Sequence, residues 1–207
     1  MANRRSLIVW IGAAGAALAA AGLVGCDKLG VSAPSTSQTF KGVDITGANY
    51  KFALPDQNGQ TRTSDDFKGK VTAVFFGYTQ CPDVCPTAMA ELAQVKKALG
   101  KDGDRLQGVF ITVDPERDTP DLLKSYVGNF DPGFIALRGT LDQTTATAKD
   151  FKVFFAKSPG KTPDSYTVDH TAGMYLFDTK GQVRLFERYG GGVDVLNADV
   201  KALLAAG

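Results

Sequence analysis

From Asn49 onward, hydrophobic and polar positions alternate between two patterns, short apolar runs typical of strands and 3.6-residue spacing typical of helices. Residues 71–78 form an almost continuous apolar run rich in β-branched and aromatic side chains, and residues 106–113 form a second. Such runs are typical of strands that are buried on both faces. Between them, the apolar spacing predicts a helix over residues 86–99, with Gly100 as its end.

Turn and capping residues predict the remaining elements. Thr119 followed by Pro120 is typical of a helix N-terminus, and Asp56-Gln57-Asn58-Gly59 is typical of a hairpin turn. The predicted elements are a hairpin over 51–54 and 61–63, a helix over 120–129, a strand over 134–137, a helix over 141–151, a hairpin over 174–178 and 183–188, and a helix over 195–205. This order predicts an α/β sandwich with a mixed central sheet and an N-terminal hairpin, and it matches a thioredoxin-like fold.

The N-terminus has a different pattern. Arg4 and Arg5 precede residues 7–25, a stretch of nineteen residues without a charge that ends in small residues before Cys26. A basic, then apolar, then small-residue order predicts an export signal. The sequence Leu-Val-Gly-Cys at its end resembles the lipobox of bacterial lipoproteins, in which the cysteine is lipidated. An uncleaved membrane helix is the alternative, because nineteen apolar residues are just long enough to span a bilayer.

Three segments follow from this pattern. We expect a lipoprotein-type signal peptide at residues 1–25, a lipid-anchored Cys26 with a flexible tether over 26–46, and the folded domain over 47–207. The basic end lies inside under either reading, so the domain is expected on the periplasmic face of the bacterial cell membrane. The lipid bilayer is then one partner of the chain.

The composition restricts the chemistry. The 207 residues are 43% hydrophobic, and 23 Lys and Arg against 22 Asp and Glu leave a net charge of +1, which argues against a nucleic-acid binder. The chain has three Cys and a single His. Any site built from thiols or imidazole must therefore use very few side chains.

Two of these cysteines, Cys81 and Cys85, directly follow the first buried strand and precede a helix. This is the edge of the sheet at which α/β proteins bind ligands. Because Pro86 has no backbone N–H, it is expected at the first helical position, which makes Cys85 the N-cap. A helix N-terminus favours a thiolate over a thiol, which raises both nucleophilicity and metal affinity.

The spacing of the pair leaves three interpretations open. A structural disulfide suits an exported protein but would close a very small loop. A thiol–disulfide oxidoreductase usually has two residues between its cysteines, and here there are three. Two thiolates are also a site for a soft metal ion such as Cu(I), with zinc as a competitor.

His170 stands in a loop just before the predicted strand 174–178. In a thioredoxin-like chain this loop lies beside the edge from which the cysteines emerge. Two thiolates and one imidazole would form a three-ligand site with a free fourth position, which suits a metal that must be passed on. The same histidine could instead depress the pKa of a thiol for redox chemistry. Asp169 could support His170 as a hydrogen-bond acceptor. It is expected to point away instead, because adjacent side chains of an extended chain face opposite ways.

Three blocks carry a family resemblance: residues 76–87 around the cysteine pair, residues 113–120 (Val-Asp-Pro-Glu-Arg-Asp-Thr-Pro), and residues 169–171 followed by Tyr175-Leu176. In order and spacing, from about Gly47 to the C-terminus, the chain resembles the Sco/SenC family. The resemblance implies a thioredoxin-like, membrane-attached protein outside the cytoplasm that acts in assembly of the binuclear copper centre of cytochrome c oxidase.

The same resemblance implies that Cys81, Cys85 and His170 are copper ligands, and it gives Asp114, Arg117 and Asp118 no ligand role. We therefore expect these three charged residues to form a turn and a helix cap.

The predicted function is that of a copper metallochaperone. Its expected partners are the copper-bearing subunit of the oxidase or another copper chaperone. The alternative is a thiol–disulfide reductase that keeps a partner's copper-ligating cysteines reduced through a reversible Cys81–Cys85 disulfide. A peroxide-handling protein of the same fold and a structural domain with an incidental disulfide also remain open.

Overall fold

A computed structural model describes residues 39–162 and 165–207. Within that part of the chain, the elements in chain order are β1 (Val43–Asp44), β2 (Ala53–Pro55), β3 (Thr61–Thr63), β4 (Val71–Gly77), α1 (Val84–Ala98), β5 (Leu106–Thr112), α2 (Pro120–Gly128), β6 (Ile135–Leu137), α3 (Leu141–Asp150), β7 (Phe155–Ser158), β8 (Thr167–His170), β9 (Gly173–Phe177), β10 (Val183–Arg188) and α4 (Gly192–Ala205). The predicted signal peptide and the predicted lipidation site at Cys26 lie outside the described residues.

The central sheet has six strands in the order β1-β10-β9-β4-β5-β6. Strands β4, β5 and β6 run parallel, whereas β9 is antiparallel to β4 and β10 is antiparallel to β9. Helix α1 packs against α4, and α2 packs against β6. The predicted α/β sandwich with a mixed central sheet is therefore confirmed.

The centre of this sheet is the core of the protein. Every residue of β4 and of β5 is buried, as their apolar runs predict. The early hairpin is also confirmed: β2 pairs with β3 as a separate two-stranded sheet. None of the helices in residues 39–162 and 165–207 combines the length and the apolar character that a membrane span requires.

Helix α1 begins earlier than predicted. Its N-cap is Asp83 and its first residue is Val84, so Cys85 lies inside the first turn, and the prediction that Cys85 is the N-cap is wrong. Pro86 is the third helical residue rather than the first. The helix accepts it there because the first turn has no intrahelical partner for a backbone N–H, so the missing donor costs nothing.

Three strands were not predicted. Strand β1 falls within residues 26–46, which the sequence pattern assigned to the tether, and it pairs with β10 at the edge of the central sheet. Strands β7 and β8 pair only with each other, and Phe155 lies opposite His170. His170 is thus the last residue of a strand and not part of a loop. We call residues 155–158 and 167–170 the histidine arm.

Candidate metal centre

The two cysteines are carried by the connection between β4 and α1. We call residues 78–83 the cysteine loop. It opens with a turn in which the Cys81 backbone N–H donates to the Tyr78 carbonyl at 3.2 Å. Cys81 is half-buried, Cys85 in the first turn of α1 is fully buried, and both thiols are free.

A glycine at the end of β4 makes room for the buried sulfur. A Cβ atom at Gly77 would lie 2.8 Å from Cys85 Sγ and 2.9 Å from the Phe110 ring, distances that real Cβ atoms essentially never show. The absence of a side chain at Gly77 therefore allows Cys85 Sγ to pack directly against the strand.

The histidine arm brings His170 to the same place. Its Nδ1 lies 3.0 Å from the Val168 carbonyl oxygen. A carbonyl can only accept a hydrogen bond, so Nδ1 donates, which leaves Nε2 as the ring nitrogen that can offer a lone pair. Nε2 lies 3.5 Å from Cys85 Sγ. The ring also stands edge-on to Tyr78, with 5.8 Å between the centroids.

These distances can be compared with those in a metal site. A sulfur at about 2.3 Å and a nitrogen at about 2.0 Å from one tetrahedral ion stand about 3.5 Å apart. The separation of Cys85 Sγ from His170 Nε2 is 3.5 Å, as in such a site. Cys81 Sγ lies close to Cys85 as well, because it accepts a hydrogen bond from the Cys85 backbone N–H, which is not a ligand. In the described part of the chain, however, no three His, Cys, Asp or Glu side chains are arranged as a complete metal-binding group. Cys81 and His170 each lie beside Cys85, but the three predicted ligands do not surround a common point.

The two sulfurs differ in their protonation. The thiol of Cys85 donates a hydrogen bond to Cys81, and this bond, opposed by burial and assisted by backbone N–H groups, lowers the pKa of Cys81 to about 5. The same bond and the burial of Cys85 raise the pKa of Cys85. At neutral pH the site holds a half-buried thiolate beside a buried thiol, so Cys81 is the sulfur ready to act as nucleophile or ligand.

A buried carboxyl group supports the cysteine loop from below. Asp118 has no exposed surface, and it accepts hydrogen bonds from the Thr79 backbone N–H at 3.1 Å, from the Thr79 hydroxyl at 2.6 Å and from the Thr112 hydroxyl at 2.5 Å. Burial raises the pKa of Asp118. These bonds fix the chain two residues before Cys81, so the prediction that Asp118 only forms a turn is incomplete.

Arg117 lies between the cysteine loop and the segment that precedes β8. Its Nη1 donates to Gln80 Oε1 at 3.2 Å and to the Tyr166 carbonyl at 2.9 Å, and its guanidinium lies 3.6 Å from the centre of the Tyr166 ring. Asp114 accepts from Arg117 Nε and, at 2.8 Å, from the Tyr166 hydroxyl.

The sequence patterns did not predict this network. One prediction for residues 113–120 is confirmed, because Thr119 caps α2 by accepting from the Leu122 N–H. The sequence nevertheless contained a sign that these charged residues lie near the cysteines. Asp114, Arg117 and Asp118 directly follow β5, and the carboxyl ends of parallel β4 and β5 meet at one edge of the sheet. Asp169 faces away from His170 and accepts from the Ser158 hydroxyl at 2.6 Å, as strand alternation predicts.

A family sequence model described as SCO1/SenC matches residues 44–205. The chain belongs to the SCO1/SenC family. Over 132 residues it is 42% identical to an SCO2-like protein of Rickettsia felis, a match that covers 63% of this chain and 64% of that relative. The match thus spans slightly less than two thirds of the relative's length.

Solved structures agree with the family assignment. The structure of Bradyrhizobium japonicum ScoI with copper bound has 42% sequence identity and a TM-score of 0.68, covering 74% of this chain and 98% of that one. BsSco, a member of the Sco family of cytochrome c oxidase assembly proteins in which a disulfide switch was identified, has 25% identity and a TM-score of 0.61, covering 82% and 99%. The predicted SCO1/SenC membership and thioredoxin-like fold are confirmed.

Proposed function

We propose that this protein is an extracytoplasmic copper metallochaperone that holds copper on Cys81, Cys85 and His170 and delivers it during assembly of the binuclear copper centre of cytochrome c oxidase. The observation that carries the proposal is the 3.5 Å approach of His170 Nε2 to Cys85 Sγ across 85 positions of sequence. Copper bound to B. japonicum ScoI and the assembly family of BsSco support the same function.

The donor set suits copper as a cargo. Two sulfurs and one imidazole are soft to intermediate ligands, which Cu(I) prefers over oxygen donors. Cys81 is already a thiolate, whereas Cys85 loses its proton when the metal binds, so binding releases a proton. The bond from His170 Nδ1 to the Val168 carbonyl keeps Nε2 directed at the sulfurs. Small rotations of these side chains would complete the set.

Delivery would proceed by ligand exchange. Three protein ligands leave one position open, so a donor atom of the partner can bond to copper before a ligand of this protein leaves. Oxidation of the pair to a Cys81–Cys85 disulfide would remove both thiolates and switch binding off.

A second candidate function is favoured by the unequal protonation of the pair. A half-buried thiolate at Cys81 beside a buried thiol at Cys85 is suited to thiol–disulfide exchange. Cys81 would attack a disulfide of the partner and release one partner thiolate. Cys85, as it loses its proton, would then attack the Cys81 sulfur and release the second, leaving the partner reduced and the pair oxidised.

The N-terminal pattern supports a further part of the proposal. A cleaved signal at residues 1–25 and a lipid on Cys26 would hold the domain at the outer face of the cell membrane, with the residues between Cys26 and β1 as tether. Fractionation of a Cys26→Ser chain tests this proposal, because the loss of the lipid should prevent membrane retention of the processed protein.

Metal analysis and disulfide exchange, measured on the same full-length chain, separate the two functions. We expect the reduced protein to retain about one copper ion per chain. His170→Ala should lose copper retention but keep most of its disulfide-exchange rate, whereas Cys81→Ser should lose both. Asp169→Ala is the matched control, because this neighbouring side chain faces Ser158. If His170→Ala retains copper and loses exchange instead, the copper proposal is wrong and the reductase function is supported.

A further inference from the structure

The histidine arm has few attachments to the rest of the protein. Its two strands pair only with each other, and an isolated two-stranded sheet is marginally stable in water. The ion pair between Lys157 and Glu116, at 2.6 Å, joins two side chains that are each about half exposed, so it contributes little. The buried Val168 and the ring contacts of His170 with Phe75 and Tyr78 attach the arm to the core, so any further contact with the cysteine loop would help to fix the place of the imidazole.

Arg117 supplies such a further contact. The exposed fraction of its side chain is 15%, and that of its carboxylate partner Asp114 is 1%. One guanidinium reaches Gln80 next to Cys81, and it also contacts Tyr166 next to β8, by a hydrogen bond to the carbonyl and by stacking on the ring. Arg117 therefore contacts both the segment that leads into β8 and the loop that carries Cys81, beside the ring contact of Tyr78 with His170.

We propose that Arg117 is a positioning residue. Its contacts with Gln80 and Tyr166, which we call the clasp, hold the segment before β8 to the cysteine loop. They thereby set the place of His170 and so the copper affinity of the site. This inference rests on the proposed function. It does not make Arg117 a ligand, because a guanidinium group only donates hydrogen bonds and has no lone pair to offer a metal. Its effect passes through the imidazole.

The chemistry of the clasp requires arginine. A planar guanidinium donates in several directions while its face stacks on an aromatic ring, and a lysine ammonium does not combine these contacts. Arg117→Lys is therefore expected to restore charge but only part of the affinity. Tyr166→Phe keeps the stacked ring and removes the hydroxyl that donates to Asp114, so it should have a smaller effect than Arg117→Ala.

The chain offers a matched control. Arg138 donates from Nε and Nη2 to the Pro115 carbonyl, at 3.1 and 2.8 Å. It thus contacts the loop between β5 and α2, which carries Arg117, but these bonds do not involve Gln80 or Tyr166. We expect Arg117→Ala to weaken Cu(I) binding about tenfold to hundredfold, measured on the full chain against a chromophoric chelator, and Arg138→Ala to leave it unchanged.

A double substitution tests whether Arg117 acts through His170. If it does, Arg117→Ala combined with His170→Ala should bind copper no more weakly than His170→Ala alone, because the imidazole that Arg117 positions is already gone. Additive losses would overturn the inference, and so would an Arg117→Ala effect no larger than that of Arg138→Ala. If Arg117→Ala fails to fold, Arg117→Lys is used in the same cycle.

A measurement without metal separates this inference from the proposed function. In the reduced, metal-free chain, Arg117→Ala should speed hydrogen exchange of the backbone amides of residues 167–170, and Arg138→Ala should not. If His170→Ala binds copper as tightly as the unchanged chain, the proposed function fails, while faster exchange in Arg117→Ala still supports the clasp. Unchanged hydrogen exchange at the amides of residues 167–170 in Arg117→Ala would overturn the inference about Arg117.

Discussion

The cysteine side and the histidine side of the site are built differently. All of β4 is buried and leads into the cysteine loop, whereas in the histidine arm β7 has no buried residue and in β8 only Val168 is buried. Cys85 thus belongs to the core and Cys81 packs against it, whereas the imidazole is carried by a strand pair outside the central sheet. Under the proposed function, this difference would let the site hold and release copper, because the histidine arm can open at a much lower cost in free energy than the core.

The largest expected contrast is in local stability. In the metal-free protein, backbone amides of β4 and β5 should exchange with deuterium about a thousandfold more slowly than those of the histidine arm, which corresponds to about 4 kcal/mol in the free energy of opening. Peptide-resolved hydrogen exchange measures this contrast. Adding Cu(I) should protect the arm and leave β4 unchanged, because only His170 gains a bond there. Equal protection of both regions before copper is added would contradict the comparison.

The next contrast is between two aspartates. Asp118→Ala would leave the Thr79 N–H and the hydroxyls of Thr79 and Thr112 without their acceptor, so we expect it to lower the free energy of unfolding by about 3 kcal/mol. On the arm, Asp169→Ala loses one exposed bond to Ser158 and should change the same quantity by less than about 0.5 kcal/mol.

Urea unfolding of both variants gives the comparison directly. Similar losses of stability at Asp118 and Asp169 would mean that the cysteine loop is no more firmly supported than the arm.

The smallest expected contrast is in the reactivity of Cys81. Its pKa of about 5 is lowered chiefly by the hydrogen bond from Cys85 and less by the positive charge that the His170 ring carries when it is protonated. The rate of alkylation follows the thiolate, so in the unchanged chain it should stay high from pH 7 down to about 6 and fall as the pH passes through about 5. Cys85→Ala should move the midpoint upward further than His170→Ala does.

Alkylation by iodoacetamide, followed at a series of pH values in the Cys85→Ala and His170→Ala variants, measures the two contributions. Mass spectrometry of the peptide that contains Cys81 measures its alkylation separately from that of the other cysteines. A larger upward movement in His170→Ala would assign the low pKa to the arm and reverse the ranking.

The sequence pattern predicted the cysteine side of the site with few errors. The apolar runs at 71–78 and 106–113 are β4 and β5, and the cysteine pair lies at the carboxyl end of β4, as expected. The start of α1 was placed two residues late, because proline is accepted anywhere in the unpaired first turn and does not mark its first position. The strands of the arm gave no clear signal, since they are short and only half-buried.

The sequence by itself determined the layered fold, the family and the names of the scarce side chains that can carry the chemistry, because burial imposes a periodic pattern and a chain with one histidine leaves few choices. Only the tertiary structure decided that His170 ends a strand, that its Nε2 faces Cys85, and that Arg117 and Asp118 secure the two halves. Such contacts join residues 37 to 85 positions apart, and local sequence patterns do not encode which distant side chains meet.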